Sequence, residues 1–158
     1  MLRLTEAYAH WRSRNNEKDK AVAVYQAFDR KLARHPSVFD GLRRVKAGDK
    51  LPPLVDTAQA GAAEALYGVG AALTHRGGED LALVYLQLAL YLQPTHPLAL
   101  LSLADLYETV KVPRYAIRVY SRVPTTTPLW RNAQIQMATD IDATDGPEES
   151  YRILRSII

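Results

Sequence analysis

The chain repeats itself at an interval of 34 residues, and that interval constrains its fold more than any other feature. A shift of 34 sets Leu66 on Leu100, Val69 on Leu103, Gly70 on Ala104 and Leu73 on Tyr107. The same shift continues with Ala82 on Ala116, Leu86 on Tyr120, Ala89 on Val123 and Pro94 on Pro128. Large falls on large and small on small. A second shift runs on through Met137, Ala138, Ile141, Leu154 and Ile157, with Pro147 opposite Pro113 and Arg152 opposite Arg118. A period of this length marks a supersecondary unit that cannot bury its apolar face alone and must stack on copies of itself. Within each unit apolar residues recur at threes and fours, as in Leu66, Val69, Leu73 and in Leu81, Tyr85, Leu88, Leu92, while alternation at period two is scarce. The reading is all-α, an array of antiparallel helix hairpins.

The punctuation agrees with the period. Small residues at Gly70, Ala82, Ala104 and Ala116 let the two helices of a hairpin approach closely, and the larger residues fill the space between hairpins. Pro94 and Pro128 close second helices, and Thr95 or Thr127 is placed to cap the next helix. Pro97, Pro113 and Pro147 suit first-turn positions, where no N–H is needed. Gly77-Gly78 and Gly146 supply turns inside hairpins.

With these residues in place, the region 62–158 resembles the tetratricopeptide repeat family, a helix-turn-helix of the same length, in a bacterial-type member or a fragment of one. The first repeat, 63–96, carries Leu66, Val69, Gly70, Leu73, Ala82, Leu86, Ala89 and Pro94, with Leu in place of the family's first Trp and its Tyr. The second, 97–128, carries Leu100, Leu103, Ala104, Tyr107, Ala116, Tyr120, Val123 and Pro128. The third, 129–158, is weaker, with Gln134 at a large position, Ala138 at a small one and Ser150 at another. The resemblance implies a right-handed α-α superhelix.

Upstream the pattern degrades. Leu4, Tyr8 and Trp11 form one helical stripe, and Ala21, Tyr25, Phe28 and Leu32 form another, with Asn15-Asn16 as the turn between them. This hairpin lies 61 residues before the first repeat, too close for two full periods. Val38, Phe39, Leu42 and Val45 predict a lone short helix, and Gly48-Asp49-Lys50-Leu51-Pro52-Pro53 an irregular connection. The expected organisation is a degenerate helical part over 1–50, a linker over 51–61 and three repeats over 62–158, with seven or more helical segments after the first two.

Composition removes many chemistries. The chain of 158 residues has no Cys, which excludes disulfides, thiolate-bound metals and a thiol nucleophile. His10, His35, His75 and His96 fall in different segments without ligand spacing, and read as surface or turn residues. Asp140, Asp142 and Asp145 lack the further ligands and central Gly of a calcium loop, and read as a solvated helix end. Gly68 and Gly70 in LYGVGAAL have no preceding strand and no following Lys-Ser/Thr, so they read as helix packing and not a phosphate loop. Ser102, Ser121, Ser150 and Ser156 have no nucleophile-elbow context. The expectation is a non-enzyme without cofactor, metal or small-molecule substrate.

The net charge of +3 conceals two halves: 12 Lys+Arg against 6 Asp+Glu in 1–50, and 8 against 11 in 51–158. The basic half, with Arg12, Arg14, Lys18, Lys20, Arg30, Lys31, Arg34, Arg43, Arg44 and Lys46, raises nucleic-acid binding as an alternative. Glu17, Asp19, Asp29 and Asp40 interleave with these cations and favour a solvated face. No apolar run reaches the roughly 18 residues of a membrane span. The compartment stays open: cytoplasmic by default, exported if the chain belongs to a longer protein with a signal peptide.

The resemblance further implies that the first helix of each hairpin lines a concave groove. Its positions fall on Glu64, Tyr67, Ala71 and Thr74, on Leu98, Leu101, Asp105 and Glu108, and on Asn132, Ile135, Thr139 and Asp142. This set is apolar with acidic punctuation and contains no Lys or Arg. It favours a basic or apolar peptide or protein partner, and the expected function is a non-catalytic scaffold or adaptor. The family's carboxylate clamp needs cations where this chain has Tyr67, Ala71, Ser102, Asn132 and Gln136, so binding of a chaperone tail is rejected. A second alternative is self-association through a terminal apolar stripe of Ile153, Leu154, Ile157 and Ile158.

Overall fold

The computed structural model describes residues 2–74 and 77–157, so His75 and Ile158 lie outside the described residues. Nine helices follow one another among the described residues, with no strand: α1 (Leu2–Arg14), α2 (Lys18–Asp29), α3 (Pro36–Ala47), α4 (Ala58–Leu73), α5 (Glu79–Leu92), α6 (Pro97–Thr109), α7 (Pro113–Tyr120), α8 (Trp130–Thr144) and α9 (Pro147–Ser156). They divide into two compact units, Met1–Asp56 and Thr57–Ile158.

In the first unit α1 and α2 form a hairpin and α3 packs on both. Asn16 makes the turn with a φ of 62°, a left-handed conformation that Asn tolerates better than most residues. The core is Ala9, Ala21, Tyr25, Val38, Val45 and Leu51. Gly41 of α3 lies against the Tyr25 ring, and a Cβ there would stand 2.5 Å from it, so this contact requires glycine.

The expected linker over 51–61 is shared between the units. Leu51 is buried in the first core, and the Ser13 hydroxyl accepts from its N–H at 3.1 Å while donating to the Asp49 carbonyl at 3.1 Å. Nδ1 of His10 donates to the Pro52 carbonyl at 2.6 Å. At the other end, Thr57 caps α4 by accepting from the Ala60 N–H at 3.0 Å, so the helix starts at Ala58. The stripe of Leu4, Tyr8 and Trp11 is exposed, and α1 buries Glu6, Ala9 and Ser13 instead. Tyr8 and Trp11 stack on each other, with the Arg12 guanidinium over both rings.

In the second unit, α4/α5, α6/α7 and α8/α9 are hairpins, and each packs on the next through α5/α6, α4/α6 and α7/α8. One continuous core links them. Ala82, Ala89, Ala104 and Ala116 are fully enclosed and Ala138 nearly so, and Gly70 is buried against Leu86. Pro97, Pro113 and Pro147 occupy first-turn positions. Gly77 and Gly146 have positive φ, at 71° and 96°.

Two local expectations change. The N-cap of α6 is His96 and not Thr95: its Nδ1 accepts from the Ala99 N–H at 3.1 Å. The second helix of the second repeat ends at Tyr120, well before Pro128. Pro124 has no N–H to continue a helix and disfavours the α conformation at Val123, so the chain turns there while Val123 stays buried.

Gly68 and Gly70 lie two residues apart on α4 and make a matched test. A Cβ on Gly70 would meet the Leu86 side chain at 2.9 Å and its backbone N at 3.2 Å, whereas one on Gly68 meets nothing within 4 Å. Gly70→Leu is expected to cost about 3 kcal/mol by overpacking. Gly68→Ala should gain roughly 0.5–1 kcal/mol from helix propensity. Thermal unfolding followed by circular dichroism checks both, and equal melting temperatures for the two variants would refute close hairpin packing at Gly70.

Candidate binding groove

The first helices of the three hairpins, α4, α6 and α8, carry the expected groove residues, and the structure sorts them by environment. Tyr67, Thr74, Leu98, Leu101 and Glu108 are half-buried, whereas Asp105, Ile135 and Asp142 are exposed, Ile135 at 44%. Tyr67 and Leu101 pack against the core, so they help to hold the unit together. Between α4 and α6, Tyr67, Ala71, Thr74, Ser102, Asp105 and Thr109 enclose a cavity of about 260 Å³.

One end of this surface is set by His96, one of the histidines expected at the surface or in a turn. It sits in a turn but is buried, and it has a carboxylate partner. Because Nδ1 accepts from the Ala99 N–H, the proton resides on Nε2, which donates to Glu64 Oε2 at 3.0 Å. The Tyr67 ring lies beside the imidazole at 5.0 Å. The capping histidine of α6 thereby ties two groove residues of α4 to the start of the next repeat. Glu64 and His96 are 32 residues apart, so only stacking of successive hairpins brings them together.

The other end is acidic. Tyr120, the aromatic packing residue of α7, is wholly buried, and its hydroxyl contacts Asp105 Oδ1 at 2.8 Å and Glu108 Oε1 at 2.6 Å. The hydroxyl has one proton to donate, so the two carboxylates share it. Burial first, then the two acids, pushes the phenol well above its ordinary range. Asp140 of α8 joins this cluster, and its Oδ2 is enclosed without a hydrogen-bond partner among the described residues. Burial and then the Glu108 and Asp105 charges push the Asp140 carboxyl up to about 6.

The three aspartates expected to form one solvated helix end therefore occupy three settings. Asp140 faces Glu108, Asp142 is exposed, and Asp145 pairs with Arg114 at 3.1 Å. Sequence periodicity places Asp140 one residue after the groove position Thr139, and gives no sign that it meets Glu108. That meeting depends on α6 and α8 both packing on α7. Among the described residues, no group of three or more His, Asp or Glu is arranged to hold a metal ion.

The basic face of the first unit is partly neutralised. Arg12 and Lys20 pair with Glu17, Arg43 with Asp40, and Arg44 with Asp49. Lys18 donates to the Lys46 carbonyl at 2.9 Å. Arg14, Arg30, Lys31 and Arg34 are exposed. At the far end of the second unit Ile153 packs against the core, and Leu154 and Ile157 are half-buried.

An acid whose folded pKa lies above its unfolded value of 3.8 takes up a proton more readily when folded, so its ionisation weakens the fold. For Asp140 this cost is absent below pH 3.8, grows as pH rises through about 6 and is complete above that. Asp140→Asn is expected to raise the melting temperature at pH 7.5 and leave it unchanged at pH 4. Melting curves across that range check this, and a gain of equal size at both pH values would refute the crowding of Asp140 by Glu108.

No protein-family model matches the chain, and no curated protein matches it either. Among solved structures it is similar to that titled "Crystal structure of MamA", with a TM-score of 0.57 and 15% sequence identity over 92% of this chain and 90% of that one. At that identity the likeness concerns the fold. Together with nine consecutive helices and no strand among the described residues, it makes the fold class all-α, a helical repeat of the tetratricopeptide type.

Proposed function

We propose that the chain is a non-catalytic scaffold that receives a peptide or partner-protein segment on the first-helix face of 57–158. The observation that carries this reading is the crowding of Asp140 against Glu108, which with Asp105 holds the Tyr120 hydroxyl, on the same helices as the exposed Ile135. A Lys or Arg side chain placed beside Glu108 and Asp140 relieves their mutual repulsion. An apolar neighbour of that residue covers Ile135. A basic and apolar peptide thus satisfies both parts of the surface. The cavity beside Tyr67 and Thr74 gives room for a further side chain.

Cation binding and proton release are linked in this arrangement. A bound ammonium or guanidinium favours the ionised carboxylates, so affinity for a basic peptide is expected to rise as pH goes from 5 to 7.5. A peptide array alternating Lys or Arg with Leu, probed with the full chain, tests the reading. Ile135→Ala is expected to weaken binding by about three- to tenfold, roughly 1 kcal/mol of lost apolar contact. Binding that is indifferent to peptide charge, to pH and to Ile135 would move the interface elsewhere.

A further inference from the structure

A second cavity lies away from the residues of the groove. It is about 590 Å³ in volume and opens between α5, α6 and α7. Its walls are three tyrosines, Tyr91, Tyr107 and Tyr115, and two arginines, Arg118 and Arg122, over a floor that includes the buried Leu90 and Leu103. Among the described residues no carboxylate lines it. The Arg118 guanidinium lies over the Tyr115 ring at 4.8 Å, and Tyr115 packs against Tyr107 at 5.4 Å. Stacking holds the guanidinium by its face and leaves its N–H edge directed outward, the geometry that accepts a carboxylate through paired hydrogen bonds.

The two arginines also differ from others of the same unit. Arg114 pairs with Asp145 and Arg152 with Glu149. Neither Arg118 nor Arg122 has a carboxylate partner among the described residues, and the Arg122 side chain makes only a long 3.4 Å contact to the Pro94 carbonyl. Tyr91 at the rim is 82% exposed and ends a run of exposed apolar residues on α5, Leu81, Val84, Leu88 and Tyr91, spaced to share one helix face.

We propose that this cavity binds an acidic peptide segment of a partner protein, seating a Glu or Asp carboxylate on Arg118 and Arg122 and laying apolar residues along Tyr91 and the α5 face. A peptide fits these features better than a nucleic acid strand does. Residues 51–158 carry 8 Lys+Arg against 11 Asp+Glu, so the surrounding charge repels a continuous polyanion, whereas one or two carboxylates meet only the local arginines. The apolar run on α5 offers side-chain contacts and no further phosphate sites. The occupant is opposite in charge to that of the first-helix groove, so one scaffold has two faces selecting different partners.

The test uses the full chain and a fluorescent peptide of repeated Asp-Leu-Glu-Phe, with a control peptide in which Asn and Gln replace the acids. By anisotropy at low salt the acidic peptide is expected to bind about tenfold or more tightly than its amide control. The double variant Arg118→Gln/Arg122→Gln should lose that preference while keeping the wild-type melting temperature, since both side chains are exposed. Tyr91→Ala should weaken binding about threefold without altering the charge preference. Ile135→Ala, in the groove, should leave acidic-peptide binding unchanged, which separates this site from the first-helix reading. Equal binding of acidic and amide peptides, or an unaffected double variant, overturns the proposal. So does tighter, arginine-dependent binding of an oligothymidylate, which would make the occupant a nucleic acid. Concentration-dependent light scattering abolished by the double variant, without peptide binding, would make it a second copy of the chain.

Discussion

Everything in the second unit depends on how closely two helices can approach where their side chains are small. At Gly70 the Leu86 side chain and backbone lie so near that even a methyl group would intrude. Ala82, Ala104 and Ala116 have no exposed surface. Contact at this range brings α4 onto α5 and α6 onto α7, and leaves the larger residues Leu100, Leu103, Tyr120 and Met137 to fill the space between hairpins. The stacking of one hairpin on the next then positions every functional candidate. Glu64 meets His96 and Glu108 meets Asp140 only because successive repeats pack in register.

Tyr120 shows how core and surface are made from one residue. Its ring occupies the aromatic position of the repeat and is fully enclosed, yet its hydroxyl emerges between Asp105 and Glu108 of the preceding helix. Burial of the ring fixes the hydroxyl, and the hydroxyl holds together two carboxylates that would otherwise repel. A Phe at the same position would serve the packing equally well and leave the acids without this donor. Stability of the hairpin and electrostatics of the groove are coupled through that single O–H.

The two faces of the repeat array differ because the helices alternate in position. First helices contribute acids and Ile135 to one surface, and the second helices α5 and α7 contribute Tyr91, Tyr115, Arg118 and Arg122 to another, with Tyr107 of α6 between them. The first unit obeys different rules. Its α1 turns Leu4, Tyr8 and Trp11 outward and buries Glu6, Ala9 and Ser13, so the more apolar stripe is not the buried one. Ala9 of that face joins Ala21 and Tyr25 of α2 in the core, and on α3 Gly41 lies directly against the Tyr25 ring. Hydrophobic periodicity identifies these helices but does not say which face turns inward, because size can outweigh polarity at a crowded helix contact.

The 34-residue period, the small residues within it and the prolines at first-turn positions determine an all-α repeat from the sequence alone, since each is a local or periodic constraint that a linear reading can follow. The same reading places Tyr67, Leu98, Leu101, Asp105, Glu108 and Ile135 on first helices. It does not reveal that Tyr67 and Leu101 also bear on the core, that His96 caps α6 while bonding Glu64, or that Asp140 is crowded by Glu108. Nor does it gather Tyr91, Tyr107, Tyr115, Arg118 and Arg122 around one cavity. These are contacts between residues far apart in the chain or on separate helices, and their energies depend on distance and burial. Periodicity specifies which face a residue occupies, and only the packed hairpins decide what stands opposite it.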